Sequence, residues 1–160
     1  MLRSRRLITA KGIKPITPYQ QRFQNTYLYG AFSPVDRHSF LLDLPYCNTE
    51  MMQLFISQFS LQRPDELKIL LLDNASFHTT DQLIFPRNVI PLFIPPYTPE
   101  LNPAEKVWHR IKDQITFKPF KDLKQLQYDL YKTINNSLSC HRIKSLTRYH
   151  YIKNSLSAIY

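Results

Sequence analysis

The chain predicts a mixed α/β fold, a sheet carrying antiparallel and parallel strands with helices packed on it. Three features predict it. Two aromatic and aliphatic runs flank a short turn, an almost unbroken apolar run stops abruptly at two polar residues, and a proline-rich turn feeds an amphipathic helix. Its 160 residues, 43% hydrophobic and 13% aromatic, suffice for one globular core. One domain over 1–160 is expected, divided into a basic opening segment over 1–24, a sheet core over 25–116 and basic C-terminal helices over 117–160.

Taken in order, residues 7–24 hold Gly12, Pro15 and Pro18 among polar side chains and read as irregular. Residues 25–32 and 38–44 read as two antiparallel strands joined by the turn Ser33-Pro34-Val35-Asp36-Arg37. Asn48 then caps a helix whose N3 position is Met51, with Met51, Leu54, Phe55, Gln58 and Phe59 at helical spacing as far as Ser60. That helix is expected to cover one face of the sheet.

The run Leu67-Lys68-Ile69-Leu70-Leu71-Leu72 lacks polar alternation after Lys68, which predicts a central strand buried on both faces, ending at Asp73-Asn74. A second short strand over 89–94 is assigned to an edge, because Pro91 lacks a ladder donor. Beyond Pro95-Pro96-Tyr97-Thr98-Pro99-Glu100, Asn102 suits a helix cap and Pro103 the first helical position. Ala104, Trp108, Ile111 and Ile115 supply the apolar stripe of a helix over 103–116. Residues 121–136 and 141–157 predict two further helices.

Charge narrows the partners. The chain carries 21 Lys+Arg against 12 Asp+Glu, a net +9, which suits a polyanion. Both ends are basic and the centre is acidic. Residues 1–24 hold six basic residues and no acid, residues 25–105 hold nine acids and four bases, and residues 106–160 hold eleven bases and three acids. Solvated faces are one reading; a cation-binding centre flanked by phosphate-holding surfaces is the other. Cys47 and Cys140 lie in no ligand-like spacing and read as buried or free thiols. No stretch approaches the roughly 20 apolar residues of a membrane helix, and the opening lacks a signal-peptide core, so a soluble, cytoplasmic protein is expected.

A polar residue ending the most buried strand is the first place to look for chemistry, and Asp73 is that residue. It could equally form a turn. Glu105, three residues after Asn102, could close a capping box by accepting from the Asn102 N–H. A cap leaves unexplained why Pro95, Pro96, Pro99 and Pro103 stiffen the backbone ahead of one carboxylate, which helps when a ligand must be held in place. His78 reads as a helix-start or packing histidine before a directly catalytic one.

Two linked blocks, Leu70-Leu71-Leu72-Asp73-Asn74-Ala75-Ser76-Phe77-His78 and Pro95-Pro96-Tyr97-Thr98-Pro99-Glu100-Leu101-Asn102-Pro103-Ala104-Glu105-Lys106-Val107-Trp108, resemble the DDE transposases of bacterial insertion sequences, in the mariner-like branch. Weaker likeness over Arg5 to Pro15, the hairpin and the C-terminal helices extends the resemblance over most of the chain. It implies a ribonuclease-H-like fold in which three carboxylates hold two Mg²⁺ ions, Mn²⁺ substituting, for DNA strand cleavage followed by strand transfer. Asp73 would be the second acid and Glu105 the third, supported by Asn74, His78 and Asn102. Such a cluster needs metal, since carboxylates within ~4 Å repel by about 4 kcal/mol per pair at an effective dielectric near 20.

The resemblance also implies what departs from the family. Its first catalytic Asp lies on a first strand upstream of the segment resembling Arg5 to Pro15, and its helix-turn-helix region lies further upstream still. The first strand is therefore expected to be missing and the chain to be truncated. Asp43 is the nearest substitute by strand position, but in the implied strand order 3-2-1-4-5 it would lie about 14 Å from Asp73 at ~4.8 Å per strand. The expectation is DNA binding through Arg5, Arg6, Lys11, Lys14, Lys106, Arg110 and Lys112, with little or no cleavage by the chain alone. Its partners would be DNA, a separate N-terminal chain or a full-length transposase, and a second copy when complete. Two alternatives stay open: a non-catalytic DNA-binding remnant or regulator, and a nuclease of the same fold with no part in transposition.

Overall fold

The computed structural model describes residues 11–12, 25–36, 38–75, 81–116 and 118–157. Strands β1 (Tyr27–Phe32) and β2 (Ser39–Leu44) form an antiparallel hairpin, α1 (Thr49–Leu61) follows, and β3 (Lys68–Leu72) pairs in parallel with β4 (Val89–Phe93). A 3₁₀ turn, Pro99–Leu101, leads into α2 (Ala104–Ile115), α3 (Leu123–Ser137), α4 (Cys140–Thr147) and α5 (His150–Ser157). This is a mixed α/β arrangement of small sheets and flanking helices, consistent with the expected ribonuclease-H-like class. No helix among the described residues is long and apolar enough to cross a membrane.

Period-two alternation splits the hairpin between two cores. Tyr29, Ala31, Phe40, Leu42 and Leu44 point to one side, where Met52, Phe55 and Ile56 of α1 meet them together with Leu70, Leu72 and Val89 of the parallel pair. Leu28, Phe32 and Leu41 point to the other, against Val107, Ile111 and Ile115 of α2, Leu130 and Ile134 of α3 and Ile143 of α4. Helix α1 thus covers one face of the strands, as its spacing predicts. Its cap is also as predicted, the Asn48 side chain accepting from Met51 N at 2.9 Å.

Two expectations fail. β3 is not buried on both faces: Leu70 and Leu72 face the α1 core, but Ile69 is 67% exposed, and Ile90 and Leu92, which lie opposite Ile69 and Leu71 on β4, are exposed too. The apolar run registers what the strand is built to bury, and no described element lies over that face. The expected single helix over 141–157 is broken at Arg148 and Tyr149. Buried Thr147 turns its hydroxyl back onto Ile143 O at 2.7 Å and Tyr149 N donates to Thr147 O at 2.9 Å, a tight bend that ends α4 without glycine or proline.

Gly30 fixes how α2 sits. A β-carbon there would lie 2.7 Å from both Leu41 Cδ2 and Trp108 Cη2. Only glycine lets the indole lie against the hairpin, where Phe32 meets it edge-on with ring centroids 5.2 Å apart. Trp108 lies one turn beyond Glu105 on the same helix, so this contact also sets the position of that carboxylate.

Candidate functional site

Asp73 immediately follows β3 and is half-buried, and its Oδ1 accepts from Ala75 N at 3.3 Å in a small turn. Asn74 donates its side-chain amide to Ile94 O, and Ile94 N donates to Leu72 O at 2.9 Å, so the two strand ends are laced together. Because β3 and β4 are parallel, with Leu72 opposite Phe93, both carboxyl ends lie on one side. The chain leaves β4 at that side, and it is this outgoing segment that leads to Glu105.

The outgoing segment is closely constrained. Pro95, Pro96 and Pro99 restrict φ, Thr98 Oγ1 donates to Pro95 O at 2.6 Å, and Leu101 N donates to Thr98 O at 3.0 Å. Asn102 N donates to Pro99 O at 3.0 Å. A capping box would use the same N–H, so the Asn102 donor is satisfied here without the Glu105 carboxylate. The cap itself is supplied by Asn102, whose Oδ1 accepts from Ala104 N at 3.0 Å. With Asn102 extended and Pro103 already at φ −63°, ψ −25°, Pro103 occupies the first helical position in geometry, although the regular hydrogen-bonded helix begins at Ala104. Glu105 is left exposed in the first turn of α2, where the helix dipole favours a carboxylate.

Basic groups line the same helix. Glu105, Lys106, His109, Arg110, Lys112 and Asp113 of α2, with Leu146 of α4, border an open groove of about 450 Å³. The Lys106 ammonium lies 4.3 Å from the centroid of the Tyr149 ring, and His109 Nε2 is 3.8 Å from Asp113 Oδ1. Tyr151 donates its hydroxyl to Leu101 O at 2.6 Å, tying α5 to the turn ahead of Glu105. Burial, then neighbouring Tyr149, raises its pKa and keeps that donor protonated. Lys106, Arg110 and Lys112 therefore share one surface with Glu105. Asp73 does not line this groove, and among the described residues no three His, Cys, Asp or Glu side chains gather in a group that could hold a metal ion.

Asp43 is held by side chains from two other parts of the fold. It accepts from Thr26 Oγ1, from Gln127 Nε2 at 2.7 Å and from the Tyr131 hydroxyl at 3.3 Å, bracing β2 against α3. Burial first, and then this carboxylate, raise the Tyr131 pKa. An acid so engaged is a structural brace. Sequence reasoning missed the brace because its partners lie 84 and 88 residues away. It also missed His109, Asp113 and Tyr149, although their spacing on the predicted helices could have suggested the first two.

Among the remaining expected site residues, Asn74 is exposed, Asn102 is half-buried, and Lys11 is exposed in a turn with Gly12. His78, Arg5, Arg6 and Lys14 lie outside the described residues. Cys47 is an exposed free thiol.

Comparison with known proteins adds two findings. The family model described as DDE superfamily endonuclease matches residues 2–127. A protein from Sinorhizobium fredii (strain NBRC 101917 / NGR234), named as the uncharacterized protein y4pE/y4sA, is 39% identical over 98 residues, covering 60% of this chain and 73% of the relative. No solved structure gives a significant match.

Proposed function

Since the chain belongs to the DDE superfamily endonucleases, we propose that it provides part of the catalytic domain of a DNA transposase, of the mariner-like branch, with Asp73 and Glu105 as two of its cation-holding carboxylates. The observation that carries this reading is the parallel pairing of β3 and β4. It sends Asp73 and the proline-stiffened segment leading to Glu105 away from one end of the sheet.

Two carboxylates are a partial fit to the group the family uses. Their oxygens are the hard donors that Mg²⁺ prefers, and Mg²⁺ commonly takes one or two carboxylates while water and substrate phosphates fill its shell. When bound, such a cation polarises the phosphodiester and neutralises charge developing on its oxygens. The rest falls to the chain's own residues. Asp73 and Glu105 hold the cation, Asn74 and Asn102 fix the backbone beside them, and Lys106, Arg110 and Lys112 neutralise DNA phosphates along α2. With no cluster of three acids among the described residues, the remaining ligand comes from elsewhere, in this chain or in a separate N-terminal or full-length transposase chain, and the polypeptide alone cleaves slowly at most.

Supercoiled plasmid incubated with the chain and Mg²⁺ or Mn²⁺ tests the proposal. Salt-sensitive binding with little nicking is expected, the salt slope falling by about one for each of Lys106→Ala and Arg110→Ala. Absence of DNA binding would sink the reading. Robust nicking that disappears in both Asp73→Ala and Glu105→Ala would keep the two acids and overturn the incomplete ligand set.

The absence of a three-acid cluster among the described residues favours one other reading, a non-catalytic DNA-binding regulator of a complete enzyme. Under it, Asp73→Ala and Glu105→Ala leave metal binding as well as DNA binding unchanged.

A further inference from the structure

We infer that Tyr97 is a stacking platform for an unpaired DNA base lying next to the strand held along α2; this rests on the DNA-binding reading above. Tyr97 is 99% exposed, so almost none of its ring is covered by protein. Its backbone lies at φ +61°, a left-handed conformation that a residue with a β-carbon seldom adopts and that glycine would occupy without strain. The turn nevertheless carries a large aromatic ring. Pro95 and Pro96 precede it, Pro99 follows, and the Thr98 hydroxyl closes onto Pro95 O at 2.6 Å. The ring is therefore carried at the tip of a stiff turn. A strained backbone held by its surroundings, bearing a side chain the fold does not bury, marks a functional position.

The chemistry favours a base as its occupant. The turn runs without interruption into the 3₁₀ segment and α2, which carries Glu105 and the basic groups that would hold phosphates. A lone aromatic ring with stiff prolines beside it offers an uncovered flat face, on which any unpaired nucleobase can stack. Paired bases present no such face, because both of theirs are taken by neighbours in the stack. An enzyme acting at a DNA end or junction meets bases that are unpaired or can be turned out of the helix.

The test compares the native chain with Tyr97 variants on two DNAs of equal length, a blunt duplex and a duplex with a single-stranded overhang containing 2-aminopurine. The native chain is expected to prefer the overhang and to quench the 2-aminopurine. Tyr97→Ala should weaken overhang binding about tenfold, abolish the quenching and leave blunt-duplex binding unchanged, whereas Tyr97→Phe should preserve all three. Tyr97→Gly is the sharper variant. It suits the φ of the turn better than tyrosine does, so a purely structural role predicts retained binding, and stacking predicts the same loss as alanine. Unchanged overhang binding in Tyr97→Ala, retained preference in Tyr97→Gly, or equal losses on both DNAs would overturn the inference. Native binding to the blunt duplex without overhang preference defeats the stacking role alone; binding to neither DNA defeats the DNA-binding reading as well.

Discussion

The two ends of the β3–β4 pair use their polar side chains in opposite ways. At the amino end, Lys68 Nζ donates to Arg63 O at 2.9 Å, Glu66 O at 3.3 Å and Ser60 O at 3.4 Å, and Asn88 Nδ2 donates to Ser60 O at 2.9 Å and Pro64 O at 3.1 Å. Those groups close the last turn of α1 and its exit loop, where unmatched carbonyls would otherwise cost stability. At the carboxyl end, the backbone is secured by Asn74, prolines and main-chain bonds, and the segment that follows carries the exposed Tyr97, Glu100, Glu105, Lys106 and Lys112 with the half-buried Arg110. One end spends its polarity on the fold, while the other leaves much of it at the surface. The difference teaches where to look for chemistry: an ionic group matters most where the backbone around it is already satisfied by something else.

That contrast can be broken by substitution. The largest effect on stability is expected from Trp108→Ala, which empties the contact with Gly30, Leu41 and Phe32 and should cost about 3 kcal/mol in urea unfolding. Because Trp108 positions α2, DNA binding through Lys106 and Arg110 should fall as well. A loss of stability under 1 kcal/mol would mean that α2 is not docked by the indole. A smaller effect is expected at the amino end, where Asn88→Ala takes a donor from the Ser60 and Pro64 carbonyls. It should cost about 1–2 kcal/mol with cation and DNA binding untouched. If Asn88→Ala weakened either kind of binding, the division between a structural end and a functional end would fail.

Much of this was legible in the residues, for reasons that can be named. The hairpin, α1 and α2 are written in local periodicity and caps, and Asn48 and Asn102 cap where their spacing places them. Asp73 stood out because an apolar strand ends there, and Glu105 because prolines stiffen what precedes it. The exposure of Ile69 was not legible, since a hydrophobic run states a need for cover without saying which element supplies it. Nor was the break between α4 and α5, which depends on a buried Thr147 and has no glycine or proline to announce it. The bracing role of Asp43 depends on α3, far along the chain, and its position on β2 alone cannot distinguish a ligand from a brace.

The central claim is that Asp73 and Glu105 hold one cation. Calorimetric titration of the chain with Mn²⁺ tests it most directly, using Asp73→Asn, Glu105→Gln and the double variant. Each single change is expected to weaken binding about tenfold or more, with the double little worse than the singles, as for two ligands of one site. Losses that simply add, or singles that bind Mn²⁺ as the native chain does, would contradict it.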